Sequence, residues 1–181
     1  METVPHKQML LDAADRIAPY VHETPVQTCQ SIDDKVGASL YFKCENLQKV
    51  GAFKIRGATN TLLQLAPEEK ANGVATHSSG NHAQAVALAA RNQALQATIV
   101  MPHNAKQVKK DAVKGYRAEV IECEASHTAR EQTLNDLIAK TGSTYIPPFN
   151  DYRIIAGQST VAQELLQQVE EPDAIVAPVG G

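Results

Sequence analysis

The sequence predicts an α/β protein with a parallel sheet covered by helices on both faces, and three observations lead there. Strand-like and helix-like stretches alternate through the middle of the chain: 73–78 then 81–93, 97–102 then 104–115, and 118–123 then 126–142. Each helical stretch is long enough to cross between parallel neighbours, where a two-residue hairpin would force them antiparallel. With 181 residues, 43% of them hydrophobic, the chain can bury a core of the necessary size.

The elements follow in order. Apolar residues at helical spacing in MLLDAADRIAPYV (9–21) predict a helix that stops near Pro19. TPVQTCQSIDDKVGAS (24–39) is expected to be mostly loop, with Asp33 and Asp34 as loop acids, and LYFKCE (40–45) to be a short strand. A helical pattern runs from Ile55 to about Leu65, and APEEKANG then gives a short helix opened by proline and closed by glycine. After the alternating middle, STYIPPF supplies a fourth strand with a hard stop at Pro147 and Pro148. A helix from about Ile154 to Val169 and an apolar strand, DAIVAPVGG, complete the pattern. A buried strand that runs into glycines ordinarily turns into a working loop, so an ending on Val179-Gly180-Gly181 reads as a chain cut short.

Composition narrows the function. Acids and bases are mixed along the chain and sum to −3, so neither a nucleic-acid field nor a charged tail is expected. The cluster Lys106, Lys109, Lys110 and Lys114 reads as the solvated face of a helix. Cys29, Cys44 and Cys123 are odd in number and far apart, which predicts reduced thiols in a cytoplasmic protein. Acids at Glu2, Asp12 and Asp15, the lack of an apolar h-region and the lack of a long apolar run predict no targeting segment and no membrane partner. His77, His82 and His103 lack metal-ligand spacing, and His82 reads as a residue of a helix start. A small-molecule role is what remains.

Two stretches carry candidate chemistry. In KVGAFKIRGATN (49–60), Lys54 lies between Phe53 and Ile55. Such a lysine either snorkels at the surface or is desolvated, and a desolvated amine has a lowered pKa and serves as a Schiff-base nucleophile or a base. In THSSGNHAQA (76–85), a loop joins the carboxyl end of a strand to a helix. Ser78, Ser79, Gly80 and Asn81 place small side chains and clustered N–H groups there, which suits a carboxylate or phosphate. The alternative is that Ser79 or Asn81 only caps the helix.

Taken together, these motifs resemble a known family. Lys-Val-Gly-Ala-Phe-Lys-Ile-Arg-Gly-Ala, then Ser-Ser-Gly-Asn-His-Ala-Gln-Ala, then Pro-Pro-Phe-Asn-Asp with Ile-Ala-Gly-Gln-Ser-Thr, then Pro-Val-Gly-Gly, are similar to the fold-type II pyridoxal-phosphate enzymes of the serine racemase and serine/threonine dehydratase family. The resemblance runs in register from about Leu10 to Gly181. It implies the two-lobed, tryptophan-synthase-β-like α/β fold. Residues 1–63 would begin the larger cofactor lobe, 64–150 would form the smaller lobe, and 151–181 would return to the larger lobe, whose C-terminal part is absent.

It also implies roles. Lys54 would hold pyridoxal 5'-phosphate through its amine, with Phe53 near the pyridine ring. Ser78, Ser79, Gly80, Asn81 and His82 would bind the substrate carboxylate, and Asn81 would also reach the ring hydroxyl. Gly180 and Gly181 would open the loop that grips the cofactor phosphate. A divalent cation such as magnesium, if used, would be held by residues beyond this chain, and no metal ligand is expected within it. The cofactor acidifies the Cα proton of an amino acid, and Lys54 would take that proton from one face. Racemisation needs a second acid/base on the other face, where Ser79 stands in place of the alanine usual in biosynthetic threonine dehydratases. The expected activity is therefore interconversion of L- and D-serine together with dehydration of serine or threonine to a 2-oxo acid and ammonia.

Alternatives are a threonine dehydratase, a threo-3-hydroxyaspartate ammonia-lyase, and, in another class, a non-catalytic α/β binding module. Relatives are mostly homodimers, so a homodimer is expected. Nucleotide activation is not expected, because Cys29-Gln30-Ser31 and Val50 depart from the ATP-binding pattern although Lys49 and Gln84 match it. Serine at Ser159, where glycine is usual, implies a local packing change only.

Overall fold

The structure is a computed structural model that describes residues 4–178. At its centre lies a four-stranded parallel sheet of β3 (Val74–His77), β4 (Ala97–Pro102), β5 (Glu119–Cys123) and β6 (Thr144–Tyr145), in the spatial order β5-β4-β3-β6. All six residues of β4 are buried, as befits a strand with neighbours on both sides and helices on both faces. Strand alternation divides the core. Val74, Ile99 and Met101 point into one cluster with the alanines of α5 (Asn81–Asn92), while Ala75 and Val100 meet Leu134 of α7 (His127–Thr141) on the opposite face. A helix α6 (Gln107–Gly115) packs beside α5.

The remaining elements assemble around α3 (Lys54–Gln64), which packs against α5 on one side and α8 (Tyr152–Gln168) on another, with α1 (Lys7–Ile17) also touching both α3 and α8. Residues Ile55 to Leu62 of α3 are all buried, so this helix is enclosed all round. It crosses α8 backbone to backbone. A Cβ at Gly157 would stand 2.6 Å from the Gly57 Cα and 2.7 Å from the Arg56 carbonyl oxygen, so neither glycine has room for a side chain. Asp151 caps α8 by accepting from the N–H groups of Arg153 at 2.7 Å and Ile154 at 3.2 Å. A short α4 (Pro67–Lys70) leads from α3 to the sheet.

Four expectations need correction. The 24–39 stretch is not mostly loop: it holds β1 (Val26–Gln27) and α2 (Gln30–Val36), with Asp33 and Asp34 inside the helix. Gly37 ends α2 at φ 71°, and the Asp33 carboxylate accepts from the Leu40 N–H at 2.9 Å, which fixes the turn. The 40–45 strand shrinks to β2 (Phe42–Lys43), because its antiparallel partner β1 offers only two residues. The described part of DAIVAPVGG forms no strand; among the described residues nothing lies alongside to complete a ladder, and Val176 is 93% exposed. Lys110 does not belong to a solvated face, since it is 5% exposed and donates to the His103 carbonyl and the Glu122 carboxylate.

Replacing Gly157 with alanine should therefore force α3 and α8 apart and cost about 1–3 kcal/mol, the usual range for overpacking. Urea denaturation measures it, with Gly115→Ala as control; nothing lies within 4 Å of a Cβ built there, so stability should stay within about 0.5 kcal/mol.

Candidate functional site: a lysine facing a helix N-terminus

Lys54 is the first residue of α3 and reaches its position through a sharp turn. Val50 and Gly51 both take left-handed backbone, at φ 59° and 69°. For a β-branched residue such as Val50 this conformation costs on the order of 1–3 kcal/mol and persists only where the surroundings fix it. Beyond the turn, Lys54 is half-buried; its Nζ donates to the Pro148 carbonyl at 2.7 Å and stands 5.2 Å from the centre of the Phe53 ring. Phe53 itself is 40% exposed. Burial pushes the Lys54 ammonium below the ordinary lysine value, so the neutral amine is easier to reach than on a surface lysine.

The Ser78–Gly80 loop leaves the carboxyl end of β3 and runs into α5. Gly80 occupies the cap position and no side chain caps the helix, so neither Ser79 nor Asn81 plays the capping part weighed above. Ser78 Oγ instead accepts from the Gly80 N–H at 3.2 Å. Among the described residues nothing lies within 4 Å of a Cβ built on Gly80, and Asn81 is exposed. Among the described residues this twelve-residue helix therefore starts without a side-chain cap, and such an end favours an anion.

His82, in the first turn of α5, is 4% exposed. Its Nε2 lies 3.0 Å from the Ile146 carbonyl, so Nε2 carries the hydrogen and Nδ1 is left as a buried acceptor without a partner among the described residues. Burial, aided by the nearby charges of Lys54 and His77 and only partly countered by the Ile146 bond, pushes its pKa down to about 4. At neutral pH it is an uncharged imidazole. His77, the last residue of β3, stacks on Tyr145 with ring centres 6.2 Å apart.

One short segment joins the two halves. Ile146 receives the His82 hydrogen bond and Pro148 receives that of Lys54, so Lys54 on α3 and the loop ahead of His82 on α5 are tied to the same three residues. Phe53, Lys54, Ser78, Ser79, Gly80, Asn81 and His82 therefore share one neighbourhood, while Gly180 and Gly181 lie outside the described residues. Two cavities lie elsewhere, one between α1 and α8 beside Ile17 and Gln163, the other beside Arg91 and Tyr116. Among the described residues no cluster of three or more His, Cys, Asp or Glu side chains is placed to hold a metal.

Sequence reasoning missed the backbone acceptors at 146 and 148, whose part depends on tertiary placement. It also missed Arg56, although a second cation two residues past Lys54 in KIRGATNTLL, ahead of a run with no further charge, was a signal that a buried partner must exist.

A desolvated amine beside an aromatic ring, an uncapped helix N-terminus and an unpartnered buried acceptor suit an aldehyde cofactor with an anionic substrate. Such a site on an α/β fold is of the kind that an amine-bound aldehyde cofactor requires. Comparison with known proteins gives the family: the profile described as "Pyridoxal-phosphate dependent enzyme" matches residues 17–181, and the chain belongs to that family. It is 52% identical over 170 residues to a serine racemase of Arabidopsis thaliana, covering 94% of this chain and 51% of that protein. It is also 47% identical over 178 residues to a beta-hydroxyaspartate dehydratase of Paracoccus denitrificans, covering 98% and 56%. The structure of maize serine racemase superposes with a TM-score of 0.91 at 48% identity, covering 93% of this chain and 51% of that one. The fold is thus the fold-type II α/β fold, and the chain spans about half the length of the curated relatives it matches.

The buried neutral His82 has a consequence for stability. An unfolded histidine titrates near 6.5 and the folded one at about 4, so the unfolded state binds more protons between those values. Stability should fall as pH drops from 6.5 towards 4, by up to about 3 kcal/mol at the lower end. Thermal melts across that window should show the loss, and His82→Gln should flatten this part of the profile.

Proposed function

We propose that this chain carries the lysine and carboxylate-binding half of a pyridoxal-phosphate-dependent amino-acid racemase and β-eliminase. It would interconvert L- and D-serine and dehydrate serine or threonine to a 2-oxo acid and ammonia. The observation that carries the proposal is the half-buried Lys54 amine tied to the same segment as the loop that presents Ser79. When bound, the cofactor supplies an electron sink that acidifies the substrate Cα–H.

The chain's own residues supply the rest. N–H groups of the 78–82 loop, pointing out of α5, hold the substrate carboxylate and so fix which way Cα faces. Asn81, at the mouth of the same helix, would donate to the cofactor's ring hydroxyl, and Phe53 would lie near its ring. Lys54 takes the Cα proton on one face; its desolvated amine, neutral at lower pH than an exposed lysine, is suited to this. Ser79 returns a proton to Cα from the opposite face, which gives the enantiomer. When the β-hydroxyl leaves as water instead, hydrolysis of the resulting imino acid yields the 2-oxo acid and ammonia.

A second substrate reading has its own support in the 47% identity to a beta-hydroxyaspartate dehydratase, and threo-3-hydroxyaspartate belongs beside serine in any assay. We also propose the lobe division at 1–63, 64–150 and 151–181, a homodimeric assembly and a cytoplasmic setting.

In the full-length protein, L-serine with cofactor should yield both D-serine and pyruvate, and Lys54→Ala should abolish both. Ser79→Ala should lower racemisation by about a hundredfold or more, the scale of a lost general acid/base, while elimination from L-serine falls less than tenfold. Chiral chromatography and a pyruvate assay read the two rates; no product from the wild type, or equal loss of both in Ser79→Ala, would overturn the proposal.

A further inference from the structure

Arg56 is the largest side chain without solvent exposure, at 0%, and none of the roles above uses it. All three guanidinium nitrogens are bonded. Nε and Nη2 grip the Glu45 carboxylate at 2.9 and 2.8 Å, and Nη1 and Nη2 grip that of Glu164 at 2.6 and 2.8 Å. Nη1 also donates to Thr160 Oγ1 at 3.2 Å and Nη2 to the His22 carbonyl at 3.3 Å. Lys43 completes the set by donating to Glu164 at 2.7 Å, so two cations and two carboxylates balance.

A buried network of this kind is a weak device for stability alone, because apolar residues of the same volume generally stabilise as well or better. Its advantage is geometric: a planar fork that satisfies two carboxylates at once admits one arrangement of the elements that carry them. Those elements are α3, α8 and the 44–48 segment just ahead of the Lys54 turn. Arg56 is two residues past Lys54, hence on the far side of the helix from it. Lys54 looks towards Pro148, three residues ahead of the Asp151 cap of α8, while Arg56 fastens the back of the same turn to α8 itself.

We propose that Arg56, through Glu45 and Glu164, is a positioning residue that sets the reach of the Lys54 amine. The proposal rests on Lys54 being the cofactor-bearing amine. It predicts that loosening the fork misplaces Lys54 more than an equal loss of stability elsewhere in α3 would.

The test uses the full-length enzyme and compares Arg56→Lys, which keeps the charge and loses the fork, with Leu62→Ala, a cavity variant at a fully buried position farther along α3. Melting temperature, kcat, KM and the pH midpoint of the lysine-dependent absorbance band of added pyridoxal phosphate are measured for each. Arg56→Lys should lower kcat tenfold or more relative to Leu62→Ala, change KM less than threefold, and shift the band's midpoint by half a pH unit or more. Should Arg56→Lys not fold, Glu164→Gln should lower kcat at least threefold relative to Leu62→Ala and shift the midpoint the same way. Equal kcat and equal midpoints in the network and cavity variants would overturn the positioning role alone. A wild-type spectrum without a band that disappears in Lys54→Ala would overturn the assignment of Lys54 and the positioning role with it.

Discussion

The contact between the Gly57 and Gly157 backbones sets the terms for much of the structure. Two helices that touch without intervening side chains must settle their remaining contacts at the edges of the crossing, and here those contacts are polar. Asn60 donates to the Arg153 carbonyl at 2.6 Å and accepts from Arg16 at 2.6 Å, which brings α1 into the same joint. Gln158 accepts from the Gly57 N–H at 3.2 Å, and Arg56 closes the other side with its two carboxylates. The helix that carries Lys54 is thus held by hydrogen-bonding geometry as much as by apolar area, and hydrogen bonds to charged groups are directional where apolar contacts are not.

Within one turn of α3 the protein treats two cations in opposite ways. Burial works against the Arg56 charge, but the bonds to Glu45 and Glu164 outweigh it and hold the guanidinium protonated more firmly than usual. Among the described residues Lys54 meets burial with a carbonyl for partner and no carboxylate, and its charge is weakened. Its place at the N-terminus of α3 acts in the same direction, since the positive end of a helix disfavours a further positive charge. His82 sits at the corresponding end of α5 and is driven to the neutral form as well. Positive charge is therefore fixed behind the site and made scarce within it, the setting in which an amine acts as nucleophile and base.

What the sequence made legible follows from the range of the forces involved. The alternation of β3 through α7 was readable because side-chain period and helix length are local properties, and the strands that form are the ones whose pattern was strong. Lys54 and the Ser78–His82 loop were legible as chemistry out of place: an amine among apolar residues, and a run of small polar residues at a strand end. The 173–178 stretch has a strand's composition, yet a strand exists only beside another, and that is a tertiary fact. Lys110 looked solvated by its helical neighbours, whereas its partners, the His103 carbonyl and Glu122, come from the loop and strand that flank the helix. Arg56 was harder still, with Glu164 lying 108 residues away.

Departures from local rules meet around Lys54. Val50 holds a left-handed conformation that valine rarely adopts, and among the described residues α5 begins without a side-chain cap and the buried Nδ1 of His82 has no partner. Such departures are not confined to the site: Ala94, Arg117, Asn150 and Glu171 are left-handed too, and α1, α2 and α6 also start without a side-chain cap, whereas Ser126 caps α7 and Asp151 caps α8. A missing cap alone forgoes about 1 kcal/mol, and a strained turn costs about as much or more. Such costs persist where the surroundings enforce them, and here the enforcing elements are the α3–α8 joint and the sheet. The turn aims an amine, the bare helix end leaves N–H groups for an anion, and the orphaned nitrogen keeps an acceptor in a dry place. Each is a poor choice for folding, and under the proposed function each would help to hold an amino acid against a reactive carbonyl.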